Sequence, residues 1–331
     1  MRHVAVIVVG GGPAGAAAAT RLTSGGAEVL LLDRESFPRP KLCAGWITPK
    51  VISDLQFDIE AYPHSFLTFS RLAFNIHGLR FKVPSVQHSI RRIEFDAWLI
   101  ERCGAEVVQH AVRSIRRDGD DFVVDETYRC RYLIGAGGTR CPVRRELFHA
   151  IRPRSDALQT VTLELEFAHD WTDPDCHLWF FAHGLPGYSW YVPKQRGWLN
   201  IGVGGMAGLL KRRGTTIREH WDHLVRQLGR QFGIRPPHAP TGYSYYLRDA
   251  TADARIGNAF LSGDAAGLAT PDLAEGIGPA IESGQRAADA ILHGSRYSLD
   301  GTTGASLGGG IVSRWMTWSM TRRSQSGGEA A

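Results

Sequence analysis

The residues with the clearest chemical grammar sit near the two ends of the chain. In "VAVIVVGGGPAGAAAATRL", Gly10, Gly12 and Gly15 have the spacing G-x-G-x-x-G. The first glycine allows a tight turn, the second lets bare backbone approach a pyrophosphate, and the third lets a helix pack on the preceding strand. Pro13 and Ala14 open that helix, whose free amides and positive dipole end face the phosphates. Asp33 lies 18 residues beyond Gly15, the spacing at which an acid accepts hydrogen bonds from ribose hydroxyls. A carboxylate there repels a 2′-phosphate, with Arg34 beside it as a counterweight, and the loop alone does not choose between NAD and FAD.

The second chemical stretch is "GDAAGLATPDLAEGIGPAIESG", residues 263–284. Gly263 permits a turn after a short strand, Ala259–Ser262. Asp264 then stands just beyond the strand's carboxyl end, where ligands of open α/β sheets bind, and can accept from a polyol hydroxyl. Pro271 supplies a flat surface without an N–H. Gly276-Ile277-Gly278 presents bare backbone at the start of a final helix, whose dipole favours an anion such as that of a reduced isoalloxazine. The reading is that both ends hold one long ligand, FAD.

The elements that must position these residues are legible around them. Val4–Val9 is a short continuous apolar run, as in a parallel strand covered on both faces. Val29–Leu32 is a second strand. "SIRR" followed by "EFDAWLIERCGA" reads as strand and helix, with Ile93, Phe95, Trp98, Leu99 and Ile100 as its apolar side. "YLIGAGGTRCPVRR" is a buried strand ending in a glycine turn, with Gly135 at the turn counted among the cofactor contacts. The middle of the chain alternates and is rich in aromatics: "VTLELEF", "HLWFFAH", "GYSWYVPK" and "GWLNIGVGG" read as strands of a separate sheet.

Composition bounds the rest. The 331 residues, 21% charged and 43% hydrophobic, describe a globular protein long enough for two domains. A net charge of +5 without a Lys/Arg block excludes a nucleic-acid-binding role and fits anionic ligands. Five cysteines without a CxxC pair, and 13 histidines without an HxxxH cluster, give neither a disulfide framework nor a metal site. A cytoplasmic location fits, and no apolar span is long enough to cross a membrane.

These features resemble the geranylgeranyl reductase family of FAD-dependent oxidoreductases, within the wider aromatic-hydroxylase-like flavoprotein group. The likeness spans most of residues 1–295. It rests on the N-terminal fingerprint, "RPKLCAGW", "RRIEFDAWL", a diverged "GAGGTRCPVRR" and the 263–284 stretch. It implies an α/β fold: a Rossmann-like GR2-type FAD-binding domain with an inserted antiparallel β-sheet substrate domain. The FAD-binding domain is then discontinuous, made of 1–55, 86–150 and 249–296. Residues 56–85 and 151–248 form the substrate sheet, and 297–331 a tail in which 311–323 is a short amphipathic helix, either a lid or a membrane-surface contact.

Residue by residue, the resemblance gives Asp264 to the ribityl chain and Pro271, Gly276 and Gly278 to the isoalloxazine. Arg92, in R-x-x-F-D, reaches toward the phosphates. Cys43, with Ala44 and Gly45 where the family has Cys-Gly, lies near the flavin's reactive face as a proton donor or a substrate contact. Gly137 replaces an aspartate of the hydroxylase relatives. "YSWYVPKQRGWLNIGVG" fits Y-x-W-x-F-P followed by G-x-G, through Tyr188, Trp190, Pro193, Gly202 and Gly204, with Val192 in place of Phe. Alternating aromatics there are either sheet core or an apolar wall over the flavin. The expected chemistry is hydride transfer from reduced flavin to a C=C bond of a hydrophobic, isoprenoid-like small molecule. Electrons would come from NAD(P)H, a ferredoxin or a partner reductase. The alternatives are an aromatic monooxygenase, a flavin halogenase and a non-catalytic prenyl-binding protein.

Overall fold

A computed structural model describes residues 1–151, 153–249 and 253–304 of the chain. The expected 311–323 helix lies outside the described residues.

The apolar run near the amino terminus becomes the strand Arg2–Val9, paired in parallel with Val29–Asp33 on one side and Tyr128–Gly135 on the other. Glu106–Gln109 extends the sheet in parallel beyond Val29–Asp33, and Ala259–Leu261 extends it beyond Tyr128–Gly135. Val6, Ile7, Val8, Leu30, Leu31, Leu32, Leu133 and Ile134 are all buried. That is why these strands read as continuous apolar runs and not as alternating ones. A hairpin, Ile115–Asp118 and Asp121–Val124, adds antiparallel to Tyr128–Gly135.

The described residues form six α-helices, α1 (Pro13–Ser24), α2 (Pro49–Leu55), α3 (Arg92–Glu101), α4 (Ala207–Arg212), α5 (Ile217–Phe232) and α6 (Ile277–His293), besides short 3-10 and π turns. The first and last pack on each other. α1 buries Ala14 and Ala16–Ala19, and α6 buries Ala280, Gly284, Ala287 and Ala288. A Cβ on Gly284 would lie 2.1 Å from the Ala14 carbonyl oxygen, so the backbones meet at a distance only glycine allows. The Ser283 hydroxyl accepts from the Gly263 amide at 2.9 Å, fastening the turn after Ala259–Leu261 to the same helix.

A second, seven-stranded sheet runs in the order Thr241–Tyr246, Gln159–Ala168, Trp198–Met206, Gly187–Lys194, Cys176–Phe180, Arg71–Ile76, Leu79–Pro84. Every pairing is antiparallel except Cys176–Phe180 with Arg71–Ile76, which is parallel. Those two strands come from segments far apart in sequence, so no hairpin fixes their relative direction. α5 covers one face of this sheet with Trp221, Leu224 and Leu228, against Leu165, Phe167, Leu199 and Ile201. Its start is fixed by a capping box in which the Thr216 hydroxyl accepts from the Glu219 amide and the Glu219 side chain accepts from the Thr216 amide. The opposite face turns toward the nucleotide-fold sheet. No helix among the described residues is long and apolar enough to cross a membrane.

Replacing Gly284 by Ala sets two effects against each other. Helix propensity favours alanine by about 1 kcal/mol, while a forced contact in a filled interface costs about 1–3 kcal/mol. The 2.1 Å approach makes the contact dominate. The urea midpoint should fall for Gly284→Ala and fall further for Gly284→Val; equal or higher midpoints would show that the two helices do not meet there.

Candidate active site

A single cavity of about 1370 Å³ runs from the glycine turn after the first strand to the aromatic face of the second sheet. Its near end is built by exclusion of side chains. A Cβ on Gly10, which has φ +108°, would meet the Ala136 carbonyl oxygen at 2.5 Å. One on Gly15 would meet the Gly10 carbonyl oxygen at 1.8 Å. Gly15 therefore seats α1 against the turn without lining the cavity, whereas Gly10, Gly12, Pro13 and Ala14 line it. Asp33, which also lines it, accepts from the Gly11 amide at 2.6 Å and the Glu35 amide at 2.9 Å. Arg34 lies at the rim, its side chain largely exposed and paired with Glu35 at 3.4 Å.

Arg92 faces the cavity from the start of α3 and is buried. Asp96 holds it in a two-pronged pair at 2.7 and 2.8 Å. Burial works against its charge, and Asp96, then Cys43, outweigh that, so its pKa stands above the usual arginine value. Arg39, which the motif reading passed over, spans Asp96 at 3.5 Å and Asp33 at 3.8 Å. It joins Arg92 as a cation on the wall near Asp33.

Several expected contacts stand back from the cavity. The Gly135 position packs on Val143 and Cys141, and Ala136, Gly137 and Gly138 line the cavity in its place. Gly45, at φ +68°, lies against the Ile90 carbonyl and the Lys194 ammonium, where any Cβ would collide. Pro271 sits in the turn before Leu273, outside the lining. At the start of α6, Gly276 and Ile277 line the cavity but Gly278 does not. Its amide, expected to be bare, donates to Glu275 Oε1 at 2.5 Å. The other oxygen, Glu275 Oε2, is buried and has no hydrogen-bond partner among the described residues. Burial first, then Asp272 and Glu282, push the Glu275 carboxyl up to about 7 against the pull of that amide. Gly263 and Asp264 line the cavity; Tyr243 Oη donates to Asp264 Oδ2 at 3.4 Å and Arg154 donates to the Asp264 carbonyl at 3.0 Å.

The far end explains the Y-x-W and G-x-G pattern. Trp190 pairs with Gly202 and Tyr188 with Gly204 across neighbouring strands. A Cβ on Gly202 would lie 2.1 Å from the Trp190 ring, so the missing side chain lets the indole lie flat across the strand. Trp190 Nε1 donates to Asn200 Oδ1 at 2.7 Å, and the Tyr188 hydroxyl donates to the Leu273 carbonyl. The wall of Tyr188, Trp190, Leu178 and Val192 opens on the cavity. At its edge stand Cys43 and Ala44, and the Cys43 sulfur accepts from the Gly45 amide at 3.3 Å. Lys194, buried beneath, donates to the carbonyls of Ala44 (2.7 Å) and Ile90, and ties the sheet to this loop.

Lys41, Tyr243, Tyr245, Glu164 and Glu275 also line the cavity and went unread in the sequence. The signal for Glu164 was the alternation in "TVTLELEF", since Leu163, Leu165 and Phe167 pack toward α5 and the polar residues face the other way. Only the fold says that this other side is a cavity and not solvent.

The turn in which Gly10 and Gly15 exclude a Cβ, the acid at Asp33, the orphaned Glu275 oxygen and the length of the cavity fit a dinucleotide of the size of FAD. Residues 102–293, more than half of the chain, match the family described as FAD binding domain, and the chain belongs to that family. Residues 8–74 match an NAD(P)-binding Rossmann-like domain. The chain is 27% identical over 294 residues to menaquinone reductase of Mycobacterium tuberculosis, covering 80% of this chain and 71% of that protein. It is 29% identical over 290 residues to geranylgeranyl diphosphate reductase of Rhodobacter capsulatus, covering 82% and 70%. Its fold matches that of a geranylgeranyl bacteriochlorophyll reductase-like protein from Thermoplasma acidophilum with a TM-score of 0.75 at 18% identity, over 98% of this chain and 83% of the other. The protein is an FAD-dependent oxidoreductase with a Rossmann-like nucleotide-binding domain.

Asp264→Ala removes one acceptor and leaves the backbone turn in place. FAD affinity should weaken about 10- to 150-fold, the range of one hydrogen bond to a charged group, with little change in melting temperature; full FAD occupancy in the dialysed variant would contradict the assignment. A second outcome follows from Glu275. Its folded pKa is raised, so between pH 4.5 and about 7 the folded chain binds more protons than the unfolded one. Stability therefore falls as pH rises through that window. Urea midpoints of Glu275→Gln should depend less on pH there than those of the native protein, and an equal slope would place the carboxyl in ordinary solvent.

Proposed function

We propose that this flavoenzyme reduces a carbon–carbon double bond of a hydrophobic, isoprenoid-like molecule. The observation that carries the reading is the shared cavity: the glycine turn, Asp33 and Asp264 lie in the same space as an apolar wall of Leu178, Tyr188, Trp190 and Val192. The relatives named for menaquinone and geranylgeranyl diphosphate support it, since both molecules carry a polyprenyl chain.

Bound FAD supplies the hydride once it has been reduced by NAD(P)H, a ferredoxin or a partner reductase. The residues of the chain bind, orient and exclude water. In the proposal, the backbone of Gly10–Gly15, with Arg39 and Arg92 near it, holds the pyrophosphate end, while Asp33 and Asp264 take ribose and ribityl hydroxyls. Gly276 and Ile277 border the ring. Trp190 and Tyr188 cannot swing freely, because Asn200 and the Leu273 carbonyl hold their polar atoms. A prenyl segment laid on this wall leaves water behind at about 25 cal/mol per Å² of apolar surface covered. Cys43 and Ala44 close the edge of the wall, with the sulfur accepting from the Gly45 amide.

Incubating the chemically reduced enzyme with geranylgeranyl diphosphate or a menaquinone under nitrogen tests the reading. The expected result is oxidation of the flavin together with a product two hydrogens heavier. Product that forms only in oxygen, with an oxygen atom incorporated, would overturn the reductase reading in favour of a monooxygenase.

A further inference from the structure

The face of the second sheet that turns to the cavity carries two carboxyls: Glu166 is paired with Arg91 and Lys194, and Glu164 stands in the row of the Trp190 indole. Glu164 pairs with Gly202, Gly202 with Trp190, Trp190 with Leu178, and Leu178 with Phe74. Residues directly opposite one another project from the same face. Because Gly202 has no side chain, the next side chain beyond the Trp190 indole is that of Glu164. Its residue is only 3% exposed and lines the cavity. Among the described residues its carboxyl has no hydrogen-bond partner. A buried carboxyl without one costs several kcal/mol if ionised and less if it keeps its proton.

The other polar groups at this end, Cys43 apart, have their hydrogens committed. Trp190 gives its N–H to Asn200, and Tyr188 gives its O–H to Leu273. Lys194 donates to the Ala44 and Ile90 carbonyls and lies 3.4 Å from Glu166. The Cys43 sulfur accepts from the Gly45 amide and keeps its thiol hydrogen, which makes it the rival donor. Tyr245 also lines the cavity, but burial carries its phenol well above 10, too weak an acid to compete with a carboxyl.

We propose that Glu164 is the catalytic acid that protonates the substrate. The inference rests on the double-bond reduction proposed above. A hydride from the reduced cofactor brings two electrons and a hydrogen to one alkene carbon. The π pair then forms a C–H bond at the other carbon with the proton of Glu164, and the carboxylate left behind takes a proton from solvent. Burial raises the Glu164 carboxyl up to about 8. Lys41 from the loop before Cys43, Lys194 from the strand two positions away in the sheet and Arg92 from α3 pull it down, while Glu166 on its own strand pushes it up. Tyr188 and Tyr245 face the same space. The group is therefore largely protonated at neutral pH.

The test uses the FAD-loaded protein and two readouts. Infrared difference spectra of the oxidised enzyme across a pH titration should show, beside the band of Glu275 that Glu275→Gln removes, a second protonated-carboxyl band that disappears near pH 8, and this second band should be missing in Glu164→Gln. Absence of such a band in the native enzyme, or its persistence in the variant, overturns the proposal without reference to turnover. In single turnovers of reduced enzyme with geranylgeranyl diphosphate under nitrogen, Glu164→Gln should slow flavin oxidation about 10²- to 10⁴-fold. Glu164→Asp should recover part of the rate, and lipid binding should change less. A native enzyme that reduces the double bond while Glu164→Gln matches its rate and pH profile would remove Glu164 from the chemistry and leave the reductase reading intact. A native enzyme with no oxygen-independent product would overturn both.

Discussion

The fold depends on backbone meeting backbone with nothing between. At Gly284 the last helix touches the Ala14 carbonyl of the first, and at Gly15 the first helix touches the turn it leaves. Both contacts sit beside the cavity, and each would be broken by a single methyl group. Together they bring an α6 residue near position 280 within reach of the turn at residue 10. Two pieces of chain that fold some 250 residues apart thus form one wall, with the strand Ala259–Leu261 laid in parallel on Tyr128–Gly135 as the second fastening. Such an interface favours alanine and glycine, which explains why both helices are so rich in them.

The same rule, room made by a missing side chain, recurs at the other end of the cavity. Gly202 accepts the Trp190 ring of the next strand, and the indole lies across a strand instead of standing off it. Lys194 then locks this sheet to the 43–45 loop from beneath, a buried ammonium satisfied by carbonyl oxygens and facing Glu166. Removing Glu166 would leave the buried Lys194 charge without a carboxylate, whereas Glu166, partly exposed, would keep Arg91 at 2.8 Å. The cofactor end and the aromatic end are thus held in register by polar contacts below the surface and by glycines above it.

Much of this was legible. The strand–glycine–helix–strand order near the amino terminus announces its fold through spacing alone, because each glycine answers a local steric demand. The pairing of "YSWYVP" with "GVG" was visible as a pattern, but its cause required the register. The roles of Gly278 and Gly135 were misplaced because position in a motif does not reveal which neighbour takes an amide; Glu275 takes that of Gly278. The parallel pair in the second sheet and the buried placement of Glu164 were not legible. Both depend on which distant segments meet, and alternation along one strand cannot say whether its polar side faces water or a cavity.

The central claim is that the nucleotide turn and the Trp190 wall serve one shared space, so that a greasy substrate lies against the flavin. Titrating the oxidised holoenzyme with geranylgeranyl diphosphate while recording the visible flavin spectrum measures this most directly. The account predicts a saturable perturbation of the flavin bands that is lost in Gly202→Val, where the indole must move, while the variant keeps its FAD. A spectrum unchanged at saturating lipid, or an identical perturbation in Gly202→Val, would contradict it.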